Sequence, residues 1–256
     1  MTTANPDPAT PFFTIVTATR NAAATLPSTL DSVSGQSYAA VEHIVVDGAS
    51  TDGTQDLLRG RGGARLRWIS EPDRNIAHAF NKGVEMAAGN VLLFLGADDR
   101  LADDRVLEDV AESLRALPRP WVVYGDCRFE YPGGVSRLVR QNFSAARFRR
   151  FCCLPHQATL VDRELFRQFG LFDESFGIAM DYDHLARFID RHPPVYLPRL
   201  ISAMSRGGVS TQAARAHREM NRVRIAKGWT TPGRAVWMER WAELAAWMRR
   251  LTGRGW

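Results

Sequence analysis

Short apolar runs alternate with segments of helical periodicity along the first hundred residues. Phe12 to Thr19 is β-branched and apolar and predicts a strand. Thr25 to Gln36 follows with Leu26, Leu30 and Val33 at helical spacing, and Pro27 suits a first turn. His43 to Val46 is a second strand ending at Asp47-Gly48. Thr51-Asp52-Gly53-Thr54 then opens a helix running to Arg59, with Asp or Thr as its cap. Leu66 to Ser70 is a third strand, and Asn75 to Ala88 a helix for which Gly89 is the expected C-cap. Val91 to Leu95 is a fourth strand. Strand and helix in alternation predict a parallel sheet covered on both faces, that is, an α/β fold.

Beyond Asp99 the alternation breaks. Ala102 to Ala116 predicts a helix, and Trp121 to Phe129 with Val135 to Arg140 a hairpin around Tyr131-Pro132-Gly133-Gly134. A short strand at Gln157 to Val161 precedes a helix at Arg163 to Phe169, stopped by Gly170. Asp181 to Arg191 is helical by its inward Leu185, Phe188 and Ile189, and Val195 to Met204 is extended. Thr211 to Lys227 and Arg234 to Leu251 are the last helices. The expected organisation is a lead-in over 1–11, a main domain over 12–210 and a helical extension over 211–256. The main domain divides at the change of pattern into two halves, 12–99 and 100–210.

Composition narrows the class. The chain has 256 residues, 45% of them hydrophobic, enough for one sizeable core. No run reaches the roughly 18 apolar residues of a membrane span, and Met1 to Pro11 lacks the pattern of a signal peptide. Three cysteines, Cys127, Cys152 and Cys153, have no metal-ligand spacing and suit a reducing compartment. The net charge of +5 arises late in the chain, at Arg147, Arg149 and Arg150, and again from Arg215 through Lys227.

The chemistry concentrates at Val91 to Asp99, an apolar run ending in two adjacent carboxylates, Asp98 and Asp99. Ligands bind at strand ends in open α/β sheets. Two like charges there call for a cation between them, and a divalent ion carrying a phosphate ligand fits.

Several segments, in order, resemble family-2 glycosyltransferases. They are Thr17-Ala18-Thr19-Arg20-Asn21, Val45 through Thr54, Ser70 through Gly83, Leu95-Gly96-Ala97-Asp98-Asp99, and Phe172 through Asp183 with its Asp181-Tyr182-Asp183. The resemblance covers Phe13 to Ser210 and implies that 12–210 is a catalytic domain, with a nucleotide-binding half over 12–99 and an acceptor half over 100–210. It implies the GT-A fold, a Rossmann-like, mostly parallel mixed sheet flanked by helices, with a helical C-terminal extension. It also implies inverting transfer from a nucleotide-sugar to a glycan or lipid-linked acceptor hydroxyl, in cell-surface polysaccharide or glycolipid assembly.

On that resemblance Thr17, Thr19 and Arg20 meet base and ribose, and Asp47 accepts the imide N–H of uracil, which favours a UDP-sugar. Asp73 and Arg74 border the nucleotide. Asp98 and Asp99 hold Mg²⁺ or Mn²⁺ at the diphosphate. Gly96 stands where relatives often carry a polar residue, and Met180 where many carry Glu. Asp181 is the base that deprotonates the acceptor. His156 lies near acceptor or diphosphate, and Arg206 in Arg206-Gly207-Gly208 closes over the diphosphate. Asp52 is expected to cap its helix, Lys82 to be a helix-surface lysine and Asp183 to face elsewhere.

Trp237, Trp241, Leu244, Met248 and Leu251 form one apolar stripe. It packs on the domain or a partner helix, or lies in a bilayer surface. The expected location is cytoplasmic, with peripheral contact at the inner membrane face. Two other classes compete: a nucleotidyltransferase, disfavoured because Thr19-Arg20-Asn21-Ala22 lacks glycine, and a non-catalytic nucleotide-sugar or nucleic-acid binding module. The basic residues cluster on late helices, away from any interleaved aromatic surface, so nucleic acid is not an expected partner. Oligomeric state stays open.

Overall fold

The structure, a computed structural model, describes residues 10–131, 133–205 and 213–237. The first half is β1 (Phe13–Thr19), α1 (Leu26–Ser34), β2 (Val41–Asp47), α2 (Thr54–Gly60), β3 (Leu66–Ser70), α3 (Ile76–Met86) and β4 (Val91–Gly96). The second half is β5 (Arg100–Leu101), α4 (Val106–Arg115), β6 (Val122–Glu130), β7 (Ser136–Val139), α5 (Ala145–Phe148), a 3-10 turn (His156–Ala158), β8 (Thr159–Asp162), α6 (Arg163–Phe169), α7 (Met180–Ala186), β9 (Val195–Ser205) and α8 (Ala213–Ala226). Residues 232–237 are helical, and the remainder of the expected tail stripe lies outside the described residues.

One mixed sheet runs β3-β2-β1-β4-β8-β6-β9-β5, with β7 hanging from β6. The strands β3, β2, β1 and β4 are mutually parallel, as the alternation predicts. Strand β8 enters antiparallel between β4 and β6, and β9 runs parallel to β6. Side chains alternate between faces along each strand. Accordingly Val16, Leu92 and Phe94 join one core, and Phe13, Ile15, Leu93 and Leu95 the other. The first core also takes in Phe148, Tyr182 and Val223, so α8 is packed into the body of the protein.

Two glycines allow close approach. A Cβ on Gly83 would collide with Val16, and the missing side chain lets α3 sit down on β1. Gly89 is not the expected C-cap: α3 stops at Met86, with Ala87 as its cap residue. A Cβ on Gly89 would stand 2.5 Å from the Phe12 carbonyl and 2.6 Å from Thr14 Oγ1, so bare backbone is required there. The predicted helix at Ala102 begins only at Val106, because Arg100 and Leu101 pair with Ala203 and Ser202 of β9. All three cysteines are free.

Candidate active site

A cavity of about 480 Å³ opens at the carboxyl ends of β1 and β4. Its lining includes Thr19 and Arg20 from the end of β1, Asp98 and Asp99 from beyond β4, His156 from the 3-10 turn, and Asp181 from α7. A second cavity, about 610 Å³, lies beneath residues 60–66 and takes in His43 but no carboxylate. The convergent polar groups make the first cavity the candidate site.

The two β-strand loops at the mouth are stapled together by the Val45–Thr54 motif. Asn21 and Ala49 have positive φ, 51° and 55°, an uncommon conformation for residues with a Cβ. Side chains repair the exposed backbone. Asn21 N–H donates to Ser50 Oγ at 2.7 Å, Ala22 N–H to Thr54 Oγ1 at 3.0 Å and Ala23 N–H to Asp52 Oδ2 at 2.9 Å. Thr51 N–H returns a bond to Asn21 Oδ1 at 2.9 Å. Asp52 also takes the Thr54 N–H at 3.1 Å, but the N-cap position of α2 is Gly53, not the expected Asp or Thr. Much of the motif therefore holds the β1–α1 loop in shape.

Asp47 belongs to this scaffold. It is fully buried; Oδ2 accepts from Ser50 N–H at 3.0 Å and Ser70 Oγ at 2.6 Å, and Oδ1 accepts from Ser50 Oγ. It does not line the cavity, so the expected bond to a uracil imide has no open carboxylate to meet. Thr17 is likewise turned away. It shares the parity of Phe13 and Ile15, is fully buried, and shares a hydrogen bond with His43 Nε2 at 2.9 Å. Thr19 does reach the cavity, and its Oγ1 is buried with no hydrogen-bond partner among the described residues. Such an orphaned hydroxyl is the group a ligand would satisfy.

The β3–α3 loop is tied down by charge pairs outside the lining. Asp73 binds Lys82 at 2.8 Å and His78 at 3.2 Å, and Lys82 also meets Glu71 at 2.7 Å. Arg74 pairs with Glu174 at 2.6 Å, not with the cavity. Arg74, expected to border the nucleotide, is 69% exposed at its side chain and stands outside the lining. Arg206 lies outside the described residues.

At the acidic pair, Asp99 is 3% exposed and Asp98 is half-buried. Asp99 Oδ2 accepts the Gly96 N–H at 2.8 Å. Burial, reinforced by the Asp98 charge, pushes the Asp99 carboxyl up to about 7. A Cβ on Gly96 would stand 2.9 Å from Asp99 Oδ2 and 3.0 Å from Asp98 Oδ1. Both carboxylates thus converge beside a residue with no side chain, and the glycine that departs from the family pattern is the one that leaves this space. The oxygens suit a hard divalent cation, with Asp98 the freer ligand because Asp99 is already engaged. No cluster of three or more His, Cys, Asp or Glu ligands occurs among the described residues.

Asp181 follows the first residue of α7, where its Oδ1 accepts the Tyr182 N–H at 2.7 Å. Burial raises its carboxyl above the ordinary range, against an opposing pull from His156. His156 Nδ1 lies 4.0 Å from Asp181 Oδ2, too long for a direct hydrogen bond. The imidazole stacks on Phe94 at 5.2 Å and 11°, burial depresses its pKa, and Nε2 has no hydrogen-bond partner among the described residues. Asp183 faces away, bound to Arg187 Nε at 3.1 Å. Gln157, Gly177 and Ile178 line the site without any signal in the sequence beyond their nearness to His156 and Asp181.

Solved structures with this architecture place it in the GT-A class. S. aureus TarS 1–349 in complex with UDP-GlcNAc matches with a TM-score of 0.67 at 17% identity, over 84% of this chain and 66% of that one. A mannosyltransferase from Pyrobaculum calidifontis, in complex with GDP-Man and Mn²⁺, matches with a TM-score of 0.62 at 21% identity, over 87% of this chain and 66% of that one. The chain belongs to glycosyl transferase family 2, whose model matches residues 14–170. A PGL/p-HBAD biosynthesis glycosyltransferase of Mycobacterium bovis is 35% identical over 185 residues, 68% of each chain. The chain spans 39% of the longer S. aureus TarS structure. No described helix is long and apolar enough to cross a membrane.

Proposed function

We propose that this glycosyltransferase moves a sugar, with inversion, from a nucleoside-diphosphate sugar to a hydroxyl of a glycan or lipid-linked acceptor. One observation carries the reading: Asp98, Asp99 and Asp181 line a single cavity. One end supplies carboxylates for a diphosphate-bound cation, and the other a buried carboxylate able to take a proton. When bound, Mg²⁺ or Mn²⁺ held by Asp98 and Asp99 would neutralise the departing diphosphate. Asp181 would accept the acceptor hydroxyl proton, and its burial raises its basicity. Thr19 Oγ1 and Arg20 would meet the nucleotide, and His156 Nε2 a polar group of sugar or acceptor. UDP-sugars are the first donors to test, because TarS binds UDP and UDP-GlcNAc. Peripheral membrane contact through the C-terminal helix would bring the enzyme to a lipid-linked acceptor.

A thermal-shift series of nucleotide-sugars with and without Mn²⁺ identifies the donor, since at a fixed concentration the tighter ligand stabilises more. Asp181→Asn is then expected to bind that donor as wild type does and to lose about 10²–10⁴-fold in transfer. Unchanged turnover in this variant would overturn the assignment.

A further inference from the structure

A helix start leaves backbone N–H groups without intrahelical partners. At α7, which carries Asp181, no local side chain supplies the cap: Ala179 occupies that position. The acceptor comes from α8. Glu219 Oε2 accepts the Ile178 N–H at 2.7 Å and the Ala179 N–H at 2.9 Å, across about forty residues of chain. Glu219 Oε1 takes Arg215 Nε at 2.9 Å, and the Arg215 guanidinium lies against Gly177. Arg222 extends the contact, donating to the Ser175 carbonyl at 3.3 Å and Ser175 Oγ at 3.1 Å while stacking on Phe176 at 4.6 Å.

The clasped segment is functional surface. Gly177 and Ile178 line the cavity, and Asp181 follows two residues after Ala179. Glu219 is 6% exposed, too buried for a solvated surface charge. A carboxylate at a helix N-terminus is favoured both by the dipole and by charge-assisted bonds from the backbone. Burial opposes its ionisation, but the Ala179, Ile178 and Gly177 N–H groups and Arg215 together hold its carboxyl below the ordinary range. Neither Glu219 nor α7 falls within residues 14–170, the part matched to the family.

We infer that Glu219 is a positioning residue: by clamping the 177–179 backbone from α8, it holds Asp181 at the angle from which it meets the acceptor hydroxyl. The inference rests on the reading of Asp181 as the base. Glu219→Ala, Glu219→Gln, Arg215→Met and Asp181→Asn are compared in the full chain, after circular dichroism establishes folding. Readouts are amide exchange over 177–181, UDP affinity with Mn²⁺, and kcat and KM for UDP release from the donor that gives the largest thermal shift.

Glu219→Ala is expected to speed exchange at Ile178 and Ala179 and to lower kcat about 10- to 100-fold, as a small misplacement of a reacting group does. UDP affinity should stay within about threefold, the donor end being untouched. Glu219→Gln keeps an acceptor for the two N–H groups and should recover most of kcat. Arg215→Met leaves the carboxylate and should lower kcat less than Glu219→Ala; it carries the test if the alanine variant does not fold. If Asp181→Asn is inactive and folded Glu219→Ala turns over within about threefold of wild type, the positioning role is overturned. A kcat loss in Glu219→Gln equal to that in Glu219→Ala overturns it as well. If Asp181→Asn turns over normally, it is the base assignment that has failed.

Discussion

Asp99 illustrates how burial beside a like charge shifts a single carboxyl. Burial and the Asp98 charge hold its proton to about 7, against an ordinary value of 3.8. The folded state therefore binds this proton more tightly than the unfolded chain does. The resulting stabilisation is complete below pH 3.8 and is lost as pH rises toward 7. A bound divalent cation favours the ionised carboxylate and displaces that proton. Apparent Mn²⁺ affinity, measured by calorimetry, should thus strengthen from pH 6 to pH 8 and level off above. Asp98→Asn should abolish most of that affinity, since Asp99 alone keeps one oxygen on the Gly96 N–H. At this scale the sequence was partly legible. Adjacent acids after an apolar run are visible as letters, and so is an Asp in the Asp181 setting. The face of Thr17 follows from strand parity and the Ser50 bond to Asp47 is local, but that His43 meets Thr17 and Ser70 meets Asp47 depends on partners 26 and 23 residues away, which no local pattern shows.

At the level of elements, the fit of α3 on β1 depends on an atom that is not there. Gly83→Ala would drive a methyl group into Val16 in a close-packed core. The expected penalty is about 1–3 kcal/mol, measured as a lower urea midpoint with the denaturant slope unchanged. The four parallel strands and their helices were legible because buried strands are apolar throughout and amphipathic helices keep their period. Strand β5 was not, since two residues have no period, and Gly89 was misassigned because a glycine at a helix end and one under a crossing backbone look alike in sequence.

For the whole molecule, the extension beyond residue 210 bears on the body of the protein. Val223 is 1% exposed in the core shared with Phe148 and Tyr182, Met220 and Trp229 pack against that core, and Arg224 donates to the Arg150 carbonyl. A chain ending at residue 212 would strip these contacts and release the α7 cap. Its melting temperature should fall by about 10 °C or more, since each lost kcal/mol is worth roughly 2–4 °C in a chain of this size. Calorimetry of the shortened and full chains would check this; equal melting temperatures would mean that α8 adds no stability. The late basic residues appeared in sequence as a charged face; Arg224 is instead buried, and Arg215 and Arg222, though exposed, donate to Glu219 and Ser175. Composition records charge but not its partner.

The strand order has a geometric consequence. Strand β4 ends at Gly96 and β5 starts at Arg100, yet four strand-to-strand steps (β4 to β8, β6, β9 and β5) separate them in the sheet. Four residue steps of extended chain reach about 14 Å, whereas four strand spacings laid flat would span about 19 Å. The sheet must bend into an arc between β4 and β5, and Ala97-Asp98-Asp99 is the chord that spans this part of it. The residues that would carry the cation are thus also the tether that makes the sheet concave, and lengthening the tether by even one residue would slacken the bowl in which the sugar must sit.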